Sequence, residues 1–286
     1  MSEDDIQYPS GFGLQDVISY GSTGLVVLDA ASNTVIKKPL DQAYTRYVDV
    51  ERQVYERFIQ RGGHDGILSY HGVFEDGIRL EYAANYDLKS FDDSGQLPEQ
   101  RLRWVVQIAE ALGFIHCSGV VHGDLSSANV FLDADLNAKV ADFAGSSLDQ
   151  SPLLIESSAS YQCPEAPLSV KGDLFAFGSL AYEIITGREP YQGRDGDEIR
   201  HLYSQKTFPD TKPLGGLGSI VEKCWHGKYS GCDAMLRELK AYQNDAARPH
   251  QSERICSPTL VGVTAFLAAV AFVSTLSVRS WQRARD

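Results

Sequence analysis

The segment at residues 120–145, VVHGDLSSANVFLDADLNAKVADFAG, constrains the fold and chemistry of this chain more than any other. Two short apolar runs, 129–132 and 138–141, flank the turn-rich stretch DADLN, a pattern that predicts an antiparallel hairpin. Because paired strands end side by side, we expect Asn129 and Asp142 to meet at the open end of that hairpin. The segment therefore predicts a local cluster of oxygen-bearing side chains.

A third oxygen-bearing side chain belongs to the same predicted cluster. Asp124 precedes Asn129 by five residues, and the loop between them can bring its carboxylate back to the hairpin end. Two carboxylates and an amide oxygen are ligands that suit a hard cation such as Mg²⁺. Each acid could instead be an ordinary turn or cap residue. That alternative explains one of them more easily than all three together.

The part of the chain from about residue 14 to residue 82 is rich in strand signals. Residues 21–24, Gly-Ser-Thr-Gly, lie between two apolar runs and predict a tight turn. Residues 34–37, Thr-Val-Ile-Lys, predict a strand that is closed by Pro39. A glycine-containing turn and a strand ending in lysine therefore come before the first long helix.

That helix, predicted at residues 48–59, carries an acid on its apolar face. Glu51 lies three, four and seven positions before apolar residues of the same face. Because a carboxylate that points inward needs a cationic partner, we expect an ion pair with Lys37. Lys38 is the alternative partner, and since a strand alternates its faces, only one of the two lysines can point inward.

The chain from residue 83 to residue 243 is rich in helix signals. Apolar side chains at helical spacing predict an amphipathic helix at residues 100–116. Residues 174–185, LFAFGSLAYEII, are apolar almost all round and predict a helix buried inside a larger domain. Asp173 is the expected N-cap of this helix.

Two motifs of the central segment resemble those of a known enzyme family. Residues 122–129, His-Gly-Asp-Leu-Ser-Ser-Ala-Asn, resemble the catalytic loop of eukaryotic protein kinases. Residues 142–144, Asp-Phe-Ala, resemble the magnesium-binding motif of that family. The whole pattern looks like that of the divergent fungal protein-kinase-like proteins.

Other motifs follow in the order that the family has. Residues 18–26 resemble the glycine-rich phosphate loop, and residues 80–83 resemble the hinge that would bind adenine through its backbone. Residues 163–165, Cys-Pro-Glu, resemble the end of the activation segment. The resemblance covers about residues 14–243, and an ordered set of motifs is far more specific than a glycine loop alone.

The resemblance implies an α+β bilobal fold, with a small β-rich N-lobe at residues 14–82 and a large helical C-lobe at residues 83–243. It also implies ATP and Mg²⁺ as cofactors and a protein as substrate. Lys37, fixed by Glu51, would hold the phosphates, and Asp124 would orient the acceptor hydroxyl and take its proton. The implied catalytic residues are Asp124, Lys37 and Glu51, the implied metal ligands are Asn129 and Asp142, and the implied nucleotide-binding residues are Gly21, Ser22, Gly24, Val26, Lys37, Glu81 and Ala83.

Several positions depart from the family pattern. Ser126 stands where serine/threonine kinases usually carry a lysine near the transferring phosphate, and the loss of one positive charge should slow transfer. Ser19 replaces the first glycine of the phosphate loop, which restricts the backbone there. Ala144 replaces the glycine after Asp142 and Phe143. No arginine stands in the usual place to pair with Glu165, for which Lys228 is the expected substitute.

Gly123 stands where many kinases carry an arginine. In those kinases a phosphate on the activation segment neutralises the arginine. Because this chain lacks the arginine, it has less need of that phosphate, and we expect no strict phosphorylation switch. Replacement of Ser157, Ser158 and Ser160 by alanine tests this, because loss of activity would contradict it.

Three functions remain open from the sequence alone. An active kinase for protein serine or threonine is favoured because every metal and base position is filled. A membrane-tethered pseudokinase that binds partners without transferring phosphate is favoured by Ser126 and Ser19. A small-molecule phosphotransferase shares the His-Gly-Asp form, but residues 163–178 carry a Pro-Glu pair and an Asp-opened apolar helix that such enzymes generally lack.

The composition of the chain excludes some partners. A net charge of −12 argues against nonspecific binding to nucleic acid or to an anionic membrane surface. The five cysteines form no CxxC pair, which indicates neither a disulfide framework nor a zinc site and suits a reducing compartment. Because no secretory signal is recognised at the N-terminus, we expect the kinase-like domain to be cytosolic.

The C-terminal end carries a different signal. Residues 260–278 contain no charged side chain, which predicts a transmembrane helix at residues 259–278. A basic tail at residues 279–286 follows, and a polar linker at residues 244–258 precedes it. We expect a single-pass, tail-anchored protein, although the tail arginines oppose this orientation under the positive-inside rule. Residues 1–13 are expected to form a flexible N-terminus.

Overall fold

An antiparallel sheet of five strands forms the N-terminal part of the protein, for which a computed structural model describes residues 7–21 and 23–246 of the chain. Every neighbouring pair in the sheet is antiparallel, and the spatial order of the strands is β1-β2-β3-β5-β4. The strands are β1 (Val17–Tyr20), β2 (Gly24–Asp29), β3 (Thr34–Pro39), β4 (Tyr70–Phe74) and β5 (Gly77–Glu81).

The two faces of this sheet are covered by different parts of the chain. Helix α1 (Thr45–Gln60) packs its apolar stripe against the face that carries Val35. The opposite face, which carries Leu25 and Ile36, is covered by the N-terminal segment through Tyr8 and Phe12. Residues 7–13, which belong to the N-terminus expected to be flexible, lie against the sheet, because their aromatic side chains cover apolar surface that would otherwise face water.

The C-terminal part is built around helices that share one apolar core. Helix α3 is buried on nearly all sides, as expected for a helix that is apolar all round. Fully buried side chains such as Trp104 of α2 and Met235 of α6 pack in the same core. The helices are α2 (Pro98–Cys117), α3 (Val170–Thr186), α4 (Gly196–Ser204), α5 (Gly216–Trp225) and α6 (Cys232–Ala246).

Helix α3 begins before the position that the sequence analysis assigned. Its N-cap is Ser169, whose hydroxyl accepts the backbone N–H of Gly172 at 3.1 Å. The prediction that Asp173 is the N-cap is therefore wrong, because Asp173 already lies inside the first turn. The helix ends at Gly187, which adopts the left-handed conformation that glycine allows at such a site.

Two short hairpin-like pairings lie between α2 and α3. Strands β7 (Val130–Leu132) and β8 (Ala138–Val140) form the predicted hairpin, and the Ala141 N–H donates to the Asn129 carbonyl at 2.9 Å. Strands β6 (Val120–Val121) and β9 (Ser147–Leu148) pair beside it. This pairing brings the segment that follows Asp142 next to the start of the loop that carries Asp124.

The α+β fold, with its β-rich N-terminal part and helical C-terminal part, agrees with the prediction. Helix α6 continues to Ala246, past the expected domain end at residue 243. Among the described residues, no helix is both long and apolar enough to cross a membrane. Ser22, the transmembrane helix predicted at 259–278 and the basic tail at 279–286 lie outside the described residues, as does most of the linker.

Candidate active site

The centre of the candidate site is a buried ion-pair cluster formed by Lys37 of β3. Its ammonium lies 2.7 Å from Glu51 Oε2 of α1 and 2.7 Å from Asp142 Oδ1. Glu51 is fully buried, and removal of the partner of such a buried charge costs about 3–5 kcal/mol. Lys38 points to the other face of the strand, where its ammonium lies 3.3 Å from Asp76. Lys37 is thus the inward lysine of the pair.

The charges in this cluster stabilise one another. Burial alone would lower the pKa of Lys37, but the carboxylates of Asp142 and Glu51 raise it overall. Burial also acts to raise the pKa of Asp142, and the Lys37 ammonium outweighs it, so that the pKa is lowered. For Glu51, burial raises the pKa despite the opposing effect of Lys37. Lys37 therefore stays cationic and Asp142 stays anionic at neutral pH.

The backbone around Asp142 is held in an uncommon conformation. Asp142 has a φ of +61°, a left-handed value that few residues other than glycine adopt. The next residue fixes it, because the Phe143 N–H donates to Glu51 Oε1 at 3.3 Å. The Phe143 ring is fully buried and packs edge-on against Tyr55 of α1 at 5.3 Å and near His122 at 5.1 Å. The aromatic packing thus orients the Asp142 carboxylate.

Asp124 lies beside the cluster and is joined directly to Asn129. The Asn129 amide donates to the Asp124 carbonyl at 2.7 Å and to its Oδ2 at 3.1 Å. Burial raises the pKa of Asp124 to about 6, against the opposing effects of His122 and Asn129 and together with the negative charge of Asp142. A carboxylate with this pKa is ionised at neutral pH and is a better proton acceptor than an ordinary aspartate.

The loop that carries Asp124 is anchored from below by Asp173. This buried carboxylate accepts the N–H of His122 at 2.8 Å and that of Gly123 at 2.9 Å. It also contacts His116 Nε2 at 2.9 Å. Burial would raise the pKa of Asp173, but the contact with His116 lowers it overall. This anchoring role goes beyond the helix cap predicted from the sequence, and an acid in an otherwise apolar helix is the signal that indicates it.

His122 has a structural environment, as the sequence analysis expected. The residue is buried, and its Nε2 lies 3.1 Å from the Ala141 carbonyl. Its Nδ1 accepts the Asp124 N–H at 3.2 Å. Its ring therefore links the Asp124 loop to the end of strand β8 and has no role as a base.

The glycine turn between β1 and β2 closes over the edge of the sheet. The Gly21 N–H donates to the Gly24 carbonyl at 2.8 Å, across the position of Ser22, which lies outside the described residues. A Cβ on Gly24 would lie 2.8 Å from the Lys38 carbonyl, so the close approach of β2 to β3 requires glycine there. Val26 pairs in register with Lys37, which places it on the strand beside the ion-pair cluster.

The predicted hinge residues lie at the end of β5 and just beyond it. The Glu81 carboxylate accepts the Ser69 N–H at 3.0 Å and lies 3.2 Å from the Lys139 ammonium. Since that side chain is engaged by the protein and the Glu81 N–H donates to the Ser69 carbonyl at 2.8 Å, Glu81 can offer only its backbone carbonyl to a nucleotide. Ala83 is buried in a small apolar cluster with Leu68 and Ala141.

The donors at the predicted metal position fit a hard cation. Asn129 uses its amide nitrogen on Asp124, so its amide oxygen is the atom that remains for a metal. With the Asp142 carboxylate, this gives two oxygen ligands, which suits Mg²⁺ because that ion usually takes its other ligands from phosphates and water. Within residues 7–21 and 23–246, no cluster of three or more His, Cys, Asp or Glu side chains offers a different metal site.

Glu165, at the end of the activation segment, does not have the partner predicted from the sequence. Its carboxylate lies 2.8 Å from Lys171 and 3.4 Å from Lys206. The prediction that Lys228 pairs with Glu165 in place of the family's arginine is therefore wrong. The side chains of Glu165 and both lysines are largely exposed, so these pairs contribute little to stability.

A second buried network supports the Asp124 loop and was not found from the sequence. The Ser127 hydroxyl donates to Glu183 Oε1 at 2.9 Å, and the Tyr161 hydroxyl donates to the other oxygen of the same carboxylate. Burial raises the pKa of Glu183, with both hydroxyl donors opposing that effect. Three segments, the loop after Asp124, the activation segment and helix α3, are joined through this one carboxylate.

A surface cavity lies away from these residues. Its volume is about 930 Å³, and it is lined by the C-terminal half of α1, residues 62–70, part of α2 and the β7–β8 turn. It contains none of the predicted site residues. The candidate site is therefore identified by its charged cluster and does not coincide with this cavity.

Comparison with known proteins gives one consistent result. The chain matches the family model of the protein kinase domain over residues 19–226. It is 29% identical over 219 residues to serine/threonine-protein kinase 12 of Arabidopsis thaliana, a match that covers 68% of this chain and 48% of the relative. It is 29% identical over 211 residues to NUAK family SNF1-like kinase 1 of Mus musculus, covering 68% of this chain and 31% of that protein.

The chain also matches a mitogen-activated protein kinase kinase kinase, at lower identity than the two kinases above. Mitogen-activated protein kinase kinase kinase 13-A of Xenopus laevis is 25% identical over 209 residues, covering 66% of this chain and 21% of that protein. The chain thus matches less than half the length of each of these relatives.

Proposed function

This chain belongs to the protein kinase family, and from that premise we propose that it transfers the γ-phosphate of ATP to a serine or threonine hydroxyl of a protein substrate. Members of this family use ATP and Mg²⁺. One observation carries the proposal: the Lys37 ammonium contacts both Glu51 and Asp142 at 2.7 Å, while Asp124 and Asn129 are hydrogen-bonded beside them. The ammonium, carboxylate and amide groups to which we assign phosphate, metal and hydroxyl binding therefore lie close together.

Each residue of the cluster has a role that follows from its position. Lys37, held by Glu51, would bind the phosphates of ATP through its ammonium. Asn129 and Asp142 would hold Mg²⁺, which neutralises negative charge on the phosphates when it is bound. Asp124, with its raised pKa, would accept a hydrogen bond from the substrate hydroxyl, orient it and take its proton.

The nucleotide would lie between the glycine turn and the hinge. Backbone groups near Gly21, Ser22 and Gly24 would cover the phosphates, because a turn without bulky side chains allows close approach. The backbone of Glu81 and Ala83 would bind adenine, with Val26 as part of the apolar wall.

A pseudokinase is the alternative that a specific residue favours. Ser126 lies two residues after Asp124 and carries no positive charge, although a cation at this position would stabilise the transferring phosphate. In that case the domain would bind partners at the membrane, with or without nucleotide, and would not catalyse transfer. A small-molecule phosphotransferase is a further alternative that only the identity of the acceptor can separate from the first proposal.

A transfer assay tests the proposed function. The full chain is incubated with Mg²⁺ and γ-labelled ATP together with a pool of serine- and threonine-containing peptides, and label in the peptides is measured. We expect transfer that the Asp124→Asn variant lacks. Label in small alcohols alone would indicate the small-molecule enzyme. The absence of label from every acceptor would contradict the proposal and favour the pseudokinase.

We further propose that residues 259–278 anchor the protein in a membrane with the kinase domain in the cytosol. The support is the uncharged run at residues 260–278, which matches the thickness of a bilayer core. The full chain should stay with membranes after alkaline extraction, and a Leu267→Arg/Val270→Arg variant should be released. Protection of a C-terminal tag from protease in sealed vesicles would support the tail-anchored orientation, and cleavage would contradict it. The similarity to fungal kinase-like proteins also remains a prediction.

A further inference from the structure

The space beside Gly123 is filled by the segment that follows β9. Gly123, which directly precedes Asp124, has a φ of +79°. A Cβ built on it would lie 2.3 Å from Leu153 Cδ2 and 3.0 Å from Leu153 Cδ1. A separation this short is a clash, so the Leu153 side chain occupies the volume that any larger residue at position 123 would need.

The same arrangement recurs two residues further along the segment. A Cβ built on Gly145 would lie 2.5 Å from the Cβ of Ile155. Between these two contacts, the Leu154 N–H donates to the Gly145 carbonyl at 3.0 Å. Through these contacts, Leu153 and Ile155 fit against Gly123 and Gly145, the two glycines that flank the Asp124–Asp142 region.

Two serine hydroxyls, one on each side of β9, hold the backbone just before Asp124 through neutral hydrogen bonds. The Ser157 hydroxyl donates to the Gly123 carbonyl at 2.6 Å, and the Ser146 hydroxyl donates to the His122 carbonyl at 2.9 Å. Charged groups contribute further from Asp124: Arg57 of α1 donates two hydrogen bonds to Asp149 at 3.0 and 2.6 Å, and the Glu156 carboxylate accepts the Gln162 amide at 2.6 Å. Next to Asp124, this segment thus contributes the packing of Leu153 on Gly123 and the Ser157 hydrogen bond.

We propose that Leu153 and Ile155 are positioning residues, which hold the loop that carries Asp124 by filling the space above Gly123 and Gly145. Together with Asp173, which accepts the His122 and Gly123 N–H groups, this apolar packing keeps the loop in place without a phosphate on the activation segment. This inference rests on the proposed function, because it concerns the residue that would act as its base. It adds two residues and a mechanism that the family motifs do not include.

A double-mutant cycle between Gly123 and Leu153 tests the contact without any measurement of activity. Gly123→Ala should lower the thermal unfolding midpoint, both through the clash with Leu153 and through the positive φ. In the Leu153→Ala background the clash is gone, so the same change should cost about half as much or less. Equal losses in the two backgrounds would show that Leu153 does not occupy this space and would overturn the proposal.

The transfer assay then separates positioning from mere packing. Leu153→Ala should lower kcat by about ten-fold or more, as small displacements of a catalytic group do, with the affinity for Mg²⁺–ATP unchanged because Lys37 and Asp142 are untouched. Leu153→Met should restore most of the rate. Leu154→Ala is the matched control, since the hydrogen bond of Leu154 comes from its backbone, and it should leave kcat within about two-fold.

Two results would contradict the positioning role. One is an equal loss of kcat in Leu153→Ala and Leu154→Ala. The other is a similar loss of kcat when the wild-type protein is treated with phosphatase, because the loop would then depend on a phosphate. If the wild-type chain transfers no phosphate at all, the proposed function fails, while the stability cycle still decides whether Leu153 packs on Gly123.

Discussion

The ionised form of the Asp124 side chain is disfavoured in the folded protein. Its pKa in the folded protein is about 6, mainly because of burial, whereas an aspartate in an unfolded chain has a pKa of about 3.9. The ionised form is therefore less stable in the folded state. This cost is absent below the unfolded pKa, grows as the pH rises between the two values, and is fully present above the folded pKa.

The Asp124→Asn variant should therefore be inactive but more stable near neutral pH. A shift of about two pKa units corresponds to roughly 2–3 kcal/mol, so we expect a gain of about 2 kcal/mol at pH 7.5 that disappears near pH 4. Urea unfolding in buffer without Mg²⁺ or nucleotide measures it. Asp135→Asn, in the exposed β7–β8 turn, is the control and should leave the unfolding midpoint unchanged. A gain that persists at pH 4 would indicate a cause other than the charge.

The two adjacent lysines of β3 provide a matched pair of variants. Lys37→Met removes the partner of the buried Glu51 and of Asp142, so we expect phosphate transfer to fall by about 100-fold or more. Lys38→Met keeps the buried stem and removes only the pair with the exposed Asp76, which is worth less than about 1 kcal/mol. Its transfer rate should stay within about two-fold of the wild-type rate. Similar losses in both variants, measured by peptide labelling, would mean that Lys37 has no special role.

The pairing of single residues was predictable where a regular element fixes their direction. Strand alternation and helix periodicity limited the partner of Glu51 to Lys37 or Lys38, and the hairpin register placed Asn129 opposite Ala141, the residue before Asp142. The contact of Leu153 with Gly123 was not predictable, because it joins two irregular loops that have no period. A glycine in the sequence also does not reveal which side chain fills the space beside it.

At the scale of elements, helix α3 supports the site through its buried first turn. Asp173 accepts two backbone N–H groups of the Asp124 loop and contacts His116. In Asp173→Asn the charge that these donors require is lost, and we expect about 3 kcal/mol less stability together with reduced transfer. Ser169→Ala removes the N-cap of the same helix but leaves these contacts, so it should cost about 1 kcal/mol without loss of transfer. An equal loss of transfer in the two variants would show that α3 acts only through its overall stability.

The elements themselves followed from the sequence unevenly. The strongly periodic helices at 100–116 and 174–185 appear at 98–117 and 170–186, and their earlier starts are explained by Pro98 in the first turn and by the Ser169 cap. Helices α4, α5 and α6 were not delimited. The packing of residues 7–13 on the sheet was not predicted from the sequence. Their one tyrosine and one phenylalanine are isolated among other residue types and give no periodic signal, although both pack on the sheet.

At the scale of the molecule, helix α1 connects the sheet to the helical part. Glu51 contacts Lys37 on the sheet and the Phe143 backbone beyond it. Arg57 contacts Asp149 and also donates to the Ser118 carbonyl at the end of α2. The charged site therefore exists only when both parts of the chain hold α1 in one position, so a ligand that bridges them should stabilise the whole described domain.

Magnesium–ATP should accordingly raise the thermal midpoint of the full chain. A ligand at about 100 times its Kd adds roughly 2.7 kcal/mol to the stability of the state that binds it. We expect Asp142→Asn to lose the part of this shift that depends on Mg²⁺, because it removes the carboxylate of the proposed metal site. Asp124→Asn should keep the shift, since that residue is assigned to the acceptor hydroxyl and not to the nucleotide. A shift without transfer would identify a nucleotide-binding pseudokinase, whereas no shift in the wild-type protein would contradict the assignment of Lys37, Asn129 and Asp142 to ATP and its metal.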